Sequence, residues 1–422
     1  MSAAPKILVV GCGFPQLGLV RFCRAEDLVV VGLDMNPEAV GFSACHFRVL
    51  ASTTDVEAIV AAAREHRVDG ITTCGSEHAL LSTATACEAL DLPFYGSPAT
   101  IRRCQAKDEM RAAFAAAGVP SPAYELVESR TRAEAFAARV GLPVVVKPAR
   151  GWGQRGVAIA RREEELAAAV AHAIEAAHRA GRTEGPVCLL EDYIEGREFS
   201  VDAYTKDGTT EVLAVTERII TGYPDPPGIT YAEVFPCQSE SIAQIVEVAE
   251  RGLAALGITR GPTYTQMRAG PKGAFIVETA YRLGGGLDPD VALLASGISL
   301  YRRIVGVALG REDWESYGRE APAHGGATGR FLVTYPGTIT SVSGLEEARG
   351  MPGVVAAEVY PSVGDTVHPL TDGSRRVGHV LAFGESREEA ETRAQRAMET
   401  IRITTTDNRG RSQIGPRPMV MR

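Results

Sequence analysis

The sequence lacks the features that mark several familiar classes of protein. Its eight cysteines include no CxxC or CxxxC pair, so a zinc ribbon is not predicted. It shows no signal peptide and no apolar run long enough to cross a membrane. The formal net charge of −8 argues against general binding to nucleic acid, which favours basic surfaces. We therefore expect a reducing, cytoplasmic location and a partner that is neither nucleic acid nor membrane.

Combinations of serine or cysteine with histidine that would suit nucleophilic catalysis are also missing, because the histidines are isolated along the chain. What is present is ordinary globular chemistry, with 45% hydrophobic and 23% charged residues. A chain of 422 residues is too long for one ordinary core. The sequence therefore predicts two or three domains.

The first hundred residues alternate strand-like and helix-like segments with short connections. The apolar run KILVV (6–10) leads into a glycine-rich turn (11–18), and a second apolar strand ends at Asp34. This pattern predicts a parallel, doubly wound, Rossmann-like sheet with ligand sites at the carboxyl ends of its strands. The turn reads GxGxxxxG rather than GxGxxG, so binding of NAD or NADP is kept only as an alternative. A further strand is predicted at 93–96.

Three later segments carry cations, glycines and carboxylates in an order that suits a nucleoside triphosphate. The first (144–157) places Lys147 at the end of a valine-rich strand, directly before a glycine-rich loop. The second (191–198) is rich in acids, and the third (276–286) contains Glu278, Arg282 and three consecutive glycines. Triphosphates require cations, backbone amides and carboxylates that hold Mg²⁺. The segments therefore predict a nucleotide site.

In this order, the three segments resemble the ATP-grasp superfamily from residue 6 to about residue 310. The C-terminal part resembles the extra domain of biotin-carboxylase-like and L-amino-acid-ligase-like members. The resemblance implies an α/β and α+β chain with the ATP-grasp fold. Its parts would be an N-terminal Rossmann-like subdomain (1–105), an ATP-grasp domain (106–310) with a small lid subdomain at about 124–205, and a C-terminal α+β domain (311–422). The last residues, 404–422, are expected to be loosely ordered.

The resemblance also implies which residues bind ATP. Two lysines would contact the phosphates, the glycine-rich loop would close over them, and the segment after Leu190 would meet adenine. Glu191 would accept a hydrogen bond from the adenine amino group, and Glu198 would reach the ribose. The complete set of expected nucleotide-binding residues is Lys107, Lys147, Gly153, Gln154, Gly156, Val157, Glu191, Asp192, Tyr193, Ile194 and Glu198.

Gln266 and Glu278 are the metal ligands that the resemblance implies, for Mg²⁺ or alternatively Mn²⁺. The superfamily usually has glutamate at the first position, whereas glutamine there is similar to carbamoyl phosphate synthetase. The usual asparagine two residues after the second ligand is Ala280 here, so the number of bound metals stays open. Arg282 would hold the substrate carboxylate and the acyl-phosphate transition state. Arg218 is a candidate second anion clamp, with a plain surface charge as the alternative.

The implied activity is that of an ATP-dependent carboxylate–amine ligase. ATP would phosphorylate a small carboxylate, and an amine would then displace phosphate to give an amide or peptide bond. Amino-acid-like substrates are expected, the loop at 222–235 would cover the second of them, and a homodimer is one option. Three alternatives stay open: a carboxyphosphate- or carbamoyl-phosphate-forming enzyme that uses bicarbonate, an NAD(P)-binding protein, and a catalytically silent nucleotide-binding member.

Overall fold

The computed structural model of the chain describes residues 4–150, 156–179, 188–221, 228–319 and 321–417. Two predicted nucleotide-binding residues, Gly153 and Gln154, lie outside these ranges. So do residues 222–227 of the predicted substrate loop.

A four-stranded parallel sheet forms the N-terminal unit, with strand order β3-β2-β1-β4. Its strands are β1 (Lys6–Val10), β2 (Val29–Asp34), β3 (Phe47–Leu50) and β4 (Gly70–Thr72), and its helices are α1 (Phe14–Ala25), α2 (Val56–His66), α3 (Glu77–Leu90) and α4 (Pro98–Gln105). The predicted Rossmann-like sheet is confirmed. The predicted strand at 93–96 is wrong, because Pro93 has no N–H for a ladder and Tyr95 is instead buried against Tyr281.

The next unit is small and has a hydrophobic core of its own, formed between its sheet and helices α6 and α7. Its sheet is antiparallel with strand order β5-β8-β6-β7. The elements are α5 (Lys107–Ala116), which precedes the sheet, then β5 (Tyr124–Val127), α6 (Arg130–Val140), β6 (Val144–Pro148), β7 (Ala158–Ala160), α7 (Glu163–Arg179) and β8 (Cys188–Asp192). The sheet and its two helices span 124–192, within the range of about 124–205 predicted for the lid, and β6 delivers Lys147 from its run of valines.

An eight-stranded sheet forms the centre of the molecule, with strand order β13-β12-β9-β10-β11-β14-β18-β16. The elements from the middle of the chain are β9 (Arg197–Lys206), β10 (Thr209–Ile220), β11 (Thr230–Phe235), α8 (Ile242–Ala255), β12 (Gly261–Gly270), β13 (Gly273–Ala280), α9 (Asp288–Ser296), α10 (Leu300–Ala308) and α11 (Glu312–Glu315). Helix α10 also packs against α1 and β4 of the N-terminal unit, and one large core joins the two units.

The C-terminal elements contribute to two sheets. They are β14 (Gly326–Leu332), β15 (Gly337–Ser343), α12 (Leu345–Arg349), β16 (Val354–Val359), β17 (Thr366–Val367), β18 (Gly378–Gly384), α13 (Arg387–Thr400), β19 (Arg402–Thr406) and β20 (Ser412–Gly415). Strand β14 pairs with β11, so the central sheet runs across the predicted boundary at residue 310. The expectation of loose order from residue 404 is wrong as far as residue 415, because β19 pairs with both β15 and β20 and buries Thr405.

No single helix in the described ranges is long and apolar enough to cross a membrane. Helices α9 and α10 meet the length and composition requirement only as a pair, and they are bent at 107° to each other. All eight cysteines lie in the described part of the chain and are free. The mixed α/β and α+β architecture confirms the predicted fold class.

Candidate active site

Lys147 lies in a buried ion cluster at the end of β6. Its Nζ is 2.7 Å from Oε2 of Glu191, the fourth residue of the neighbouring strand β8. Nε of Arg111, from helix α5, is 2.9 Å from the other oxygen of Glu191. All three side chains are at least nine-tenths buried. One carboxylate therefore holds a lysine and an arginine in place at the junction of the lid sheet and helix α5.

Charge and burial act in opposite directions on this cluster. Burial alone would raise the pKa of Glu191, but the positive charges of Arg111 and Lys147 lower that pKa to about 2. Burial lowers the pKa of Lys147, and the carboxylate of Glu191 opposes the shift. Both carboxylate oxygens of Glu191 are engaged with these cations. In this structure the Glu191 carboxylate is the counter-ion of the two cations, and its contact with the adenine amino group stays a prediction.

Replacing Glu191 with glutamine is expected to destabilise the fold by about 3–5 kcal/mol, since two buried cations lose their counter-ion. The folded pKa of Glu191 is depressed, so its contribution is complete above the unfolded value of 4.5 and is lost as the pH falls towards 2. The melting-temperature gap between wild type and variant should therefore stay constant from pH 7 to about pH 5 and narrow as the pH is lowered from about 5 to 3. A gap that does not change with pH would contradict the assignment, and Glu164→Gln on the exposed start of α7 is the matched control.

Glu278 and Lys107 form a second ion pair, which links β13 to helix α5. Nζ of Lys107 is 3.1 Å from Oε1 of Glu278, whose side chain is about one-third exposed. Burial would raise the pKa of Glu278, but the nearby lysines, first Lys107 and then Lys147, lower it overall. Glu278 is therefore a half-open carboxylate that stays ionised between two lysines.

Gln266 lies directly opposite Glu278 in the β12–β13 ladder, so the two predicted metal ligands share one face of the sheet. Its amide nitrogen donates to the hydroxyl of Tyr264 at 3.3 Å, which leaves the amide oxygen for another partner. A carboxylate and an amide oxygen are the hard donors that Mg²⁺ prefers. Glu278 supplies the one negative charge of this pair. Glu278 and Gln266 therefore fit a Mg²⁺ ion that takes most of its other ligands from phosphates and water.

The segment after β8 is braced by arginines that the sequence analysis did not nominate. Arg268 donates from Nη1 to the carbonyl oxygen of Ile194 at 2.9 Å and lies over the ring of Tyr193, 4.9 Å from its centroid. Its Nε also donates to Glu198 at 3.1 Å. Asp192 is half-buried, and burial raises its pKa. The segment is therefore fixed to β12 before any nucleotide binds.

Glu198 and Arg218 face each other across strands β9 and β10. Nη1 of Arg218 is 3.3 Å from Oε2 of Glu198, and the arginine side chain is only 5% exposed. A second hydrogen bond joins Arg218 to the hydroxyl of Thr230. Burial rules out the plain surface charge that was the alternative for Arg218. The contact of Glu198 with a ribose and that of Arg218 with an anion both stay predictions. In this structure the two side chains form an ion pair with each other.

Arg282 lies directly after β13 and reaches into the N-terminal unit. Its Nε is 2.6 Å from Oε1 of Glu77, the first residue of α3, and both side chains are more than four-fifths buried. Its Nη1 donates to the carbonyl oxygen of Leu283 at 2.7 Å. Burial would lower the pKa of Arg282, but Glu77 and other anionic partners raise it. The arginine is thus held charged where two units meet.

Two glycines, Gly285 after Arg282 and Gly156 in the lid loop, lie very close to neighbouring segments of the chain. A Cβ atom on Gly285 would lie 2.9 Å from the carbonyl oxygen of Gly75, which precedes α3. Gly156, at the described end of the lid loop, has φ +74°, and a Cβ there would lie 2.5 Å from the side chain of Ala176. Val157 follows it and is 40% exposed. Gly285 therefore requires glycine for space, and Gly156 requires it for space and for conformation.

A cavity of about 320 Å³ lies at the carboxyl ends of the N-terminal strands, where the glycine-rich turn raised the NAD alternative. Asp34 accepts hydrogen bonds there from the backbone N–H groups of Cys12 at 2.8 Å and Asn36 at 2.9 Å. The side chain of Gln16 lies against Gly11 and donates to the carbonyl oxygen of Cys74. Asp34 and Gln16 are thus held by backbone groups of the protein itself at the lining of this cavity.

The structure therefore gathers Lys107, Lys147, Glu191, Gln266 and Glu278 at the interface between the lid sheet, α5 and the central sheet. Three participants were missed by the sequence analysis. Arg111 could have been found, since it follows Lys107 by one helical turn on the same face. Arg268 and Glu77 pair with residues 70 and more positions away, and no local pattern indicates them.

Comparison with known proteins gives matches over most of the chain. Residues 140–290 match the model of the ATP-grasp domain, and residues 330–406 match that of the L-amino acid ligase C-terminal domain 2. The first range contains Lys147, Glu191, Gln266, Glu278 and Arg282.

Relatives extend the similarity beyond these ranges. The chain is 30% identical to the uncharacterized protein y4rH of Sinorhizobium fredii over 357 residues, which cover 83% of this chain and 72% of that protein. It is 28% identical over 440 residues to a phosphoribosylamine–glycine ligase of Phenylobacterium zucineum, covering 98% and 99% of the two chains. The crystal structure of an L-amino acid ligase from Bacillus licheniformis is similar with a TM-score of 0.79 at 22% identity, over 96% of this chain and 100% of that one. This last likeness concerns the fold.

Proposed function

We propose that this chain, which belongs to the ATP-grasp family of ATP-dependent carboxylate–amine ligases, converts a small carboxylate into an acyl phosphate and then into an amide. The observation that carries the proposal is the meeting of Lys107, Lys147 and Glu278, which arrive from three separate elements. Two cations beside a half-open carboxylate suit a polyphosphate with its metal ion. Amino-acid-like substrates are the class we propose, as in the L-amino acid ligase of similar fold.

In this proposal the lysines neutralise the phosphates of ATP. Glu191 keeps Lys147 charged and aimed, because a buried lysine without a counter-ion would lose its proton. The backbone of residues 191–194 would meet adenine, held in place by Arg268. The glycine-rich loop that ends at Gly156 would close over the phosphates. Catalysis of phosphoryl transfer then consists mainly of positioning and charge neutralisation.

Glu278 and the amide oxygen of Gln266 would hold Mg²⁺, which when bound neutralises charge on the β- and γ-phosphates. The other steps depend on residues of the chain. Arg282 would bind the substrate carboxylate with its planar guanidinium and stabilise the negative charge that builds up during acyl transfer. Gly284, Gly285 and Gly286, which follow Arg282 after Leu283, would leave backbone amides open to the phosphate. Glu77 holds Arg282 in this position.

The alternative that uses bicarbonate rests on Gln266, and one experiment separates it from amide formation. The protein is incubated with Mg-ATP and pooled L-amino acids or bicarbonate, with hydroxylamine as a general nucleophile, and ADP and hydroxamates are measured. We expect ADP and an amino-acid hydroxamate only when amino acids are present. ADP formation that needs bicarbonate alone would favour the alternative. No ADP with any carboxylate, despite stabilisation by Mg-ATP, would indicate a silent nucleotide-binding member.

A further inference from the structure

Three buried carboxylates next to the glycine run are not satisfied by the rest of the protein. They are Asp202 on β9, Glu233 on β11 and Asp288 at the start of α9, and none is more than 2% exposed. Both oxygens of Asp202, Oε2 of Glu233 and Oδ1 of Asp288 have no hydrogen-bond partner among the described residues. Burying a carboxylate without a partner is costly. We call these three residues the carboxylate cluster.

Two members of the carboxylate cluster converge on one point of the glycine run. A methyl group built on Gly286 would lie 3.0 Å from Oε1 of Glu233 and 3.3 Å from Oδ2 of Asp288. The same Asp288 oxygen accepts a hydrogen bond from the N–H of Gly286 at 3.3 Å. Gly285 and Gly286 are only half-buried, so a ligand in the candidate active site has access to this point. The absence of a side chain at Gly286 keeps it open.

The cations near the carboxylate cluster are shared with other groups. Arg218, Arg282 and Arg376 are the guanidinium groups that influence Glu233 and Asp288. Arg218 is already paired with Glu198. Arg376 donates to the carbonyl oxygens of Gly373 at 2.6 Å and Thr230 at 3.3 Å, and it lies 3.6 Å from the centroid of the Phe331 ring. Arg282 is paired with Glu77, so each of the three cations is shared with another group, although Nε of Arg218 has no hydrogen-bond partner among the described residues.

The three carboxylates share three guanidinium groups, and two of these, Arg218 and Arg282, also form ion pairs with Glu198 and Glu77. Burial raises the pKa of Asp202, Glu233 and Asp288, and repulsion from neighbouring carboxylates adds to the rise for Asp202 and Glu233. A bound cation with several N–H donors would oppose this rise and would engage the unpaired carboxylate oxygens.

We propose that the carboxylate cluster is the subsite of the nucleophilic amine, which it binds as a primary ammonium ion, an inference that rests on the ligase function proposed above. A primary ammonium has one charge and three N–H donors, and it would meet Glu233 and Asp288 where they converge at Gly286, with the charge of Asp202 nearby. No group of three or more His, Cys, Asp or Glu side chains in the described residues is arranged to hold a metal ion. The subsite adjoins Gly286, on the same loop as Arg282, so amine and acyl group would be neighbours.

The cluster also provides the proton acceptor that the reaction requires. The ammonium ion transfers one proton to a cluster carboxylate and becomes a free amine. Its lone pair attacks the acyl carbon, the C–N bond forms, and the C–O bond to phosphate breaks. The second nitrogen proton leaves with the phosphate as hydrogen phosphate. Net charge and atoms balance, and no further reactant is needed.

The test compares a charged nucleophile with a neutral one. Glycinamide is the probe with an ammonium group, and hydroxylamine is largely uncharged at neutral pH. We expect Asp202→Asn to lower the ratio of glycinamide-dependent to hydroxylamine-dependent product at least about tenfold, as expected for the loss of a hydrogen bond to a charged group. Gly286→Ala should have the same effect, because its methyl group fills the point of convergence while every charge is kept. Asp313→Asn, on an exposed residue, is the matched control.

A binding measurement makes the inference independent of turnover. Glycinamide should raise the melting temperature of the wild type and raise it less in both variants. Unchanged product ratios and equal melting shifts in wild type and variants would overturn the subsite. In a different outcome, Mg²⁺ or Mn²⁺ alone would raise the melting temperature in a way that depends on Asp202, while glycinamide would not. That result would overturn the ammonium subsite in favour of a metal site. If the wild type forms no hydroxamate, the ligase function fails, and the melting shifts still decide whether the cluster binds an ammonium ion.

Discussion

Replacing Arg282 with alanine is expected to lower product formation by about two orders of magnitude or more, while binding of ATP is retained. The reason is geometric, because the guanidinium is the cation on the loop between β13 and α9 that can bind a carboxylate through two parallel hydrogen bonds. Removing one such donor from a site of developing negative charge costs about 10²–10³ in rate. The measurements are hydroxamate formation and the melting shift produced by Mg-ATP.

Two further variants separate catalysis from folding. Arg282→Lys keeps the charge but loses the planar pair of donors, so it should recover only part of the rate. Arg162→Ala removes an exposed arginine from the lid and should leave both measurements as in the wild type. Normal product formation by Arg282→Ala would remove the residue from the mechanism. A lost Mg-ATP shift in the same variant would instead indicate a structural role, since Arg282 also holds Glu77.

Replacing Glu278 with alanine is expected to reduce Mg²⁺-dependent ADP formation by about 100-fold or more. Glu278 is the carboxylate at the predicted metal position, and its loss also leaves Lys107 without its partner at 3.1 Å. A metal ion contributes several kcal/mol of charge stabilisation, and each 1.4 kcal/mol is about tenfold in rate. The measurement is ADP release during a titration with Mg²⁺.

Gln266 provides the complementary variant for the metal assignment. Gln266→Glu places a second carboxylate opposite Glu278 in the ladder, so half-maximal activity should need less Mg²⁺. Glu278→Gln keeps an oxygen donor and removes the charge, and it should fall between wild type and Glu278→Ala. An unchanged Mg²⁺ dependence in all three variants would place the metal elsewhere.

The parts of the site that could be predicted are those encoded within single segments. Lys147 follows three valines, and an idle charge at the end of a buried strand is costly, so its role could be inferred locally. The same holds for Glu278 and Arg282, which flank the end of one apolar strand. The parallel N-terminal sheet followed from its alternation of apolar strands and helices.

The parts that could not be predicted depend on pairing between distant segments. Arg111 contacts Glu191 over 80 positions, and that contact gives the glutamate a counter-ion role that no local pattern indicates. Asp202 gave a signal that was overlooked, since an acid in the middle of an apolar strand requires a partner. Tyr95 was predicted to be in a strand because its neighbours are apolar, whereas packing against Tyr281 decided its conformation.

The pairing of β11 with β14 limits how this protein can be rebuilt. A fragment that stops at residue 310 would lose β14, β16 and β18 and would expose the backbone of β11 along its whole length. Such an open edge invites association with other chains. Truncation at that point should therefore give an aggregating product rather than a minimal enzyme. For chimaeras between related ligases, the safe unit of exchange is the whole eight-stranded sheet together with the helices packed on it, because a crossover between β11 and β14 would join two halves that were never selected to pair.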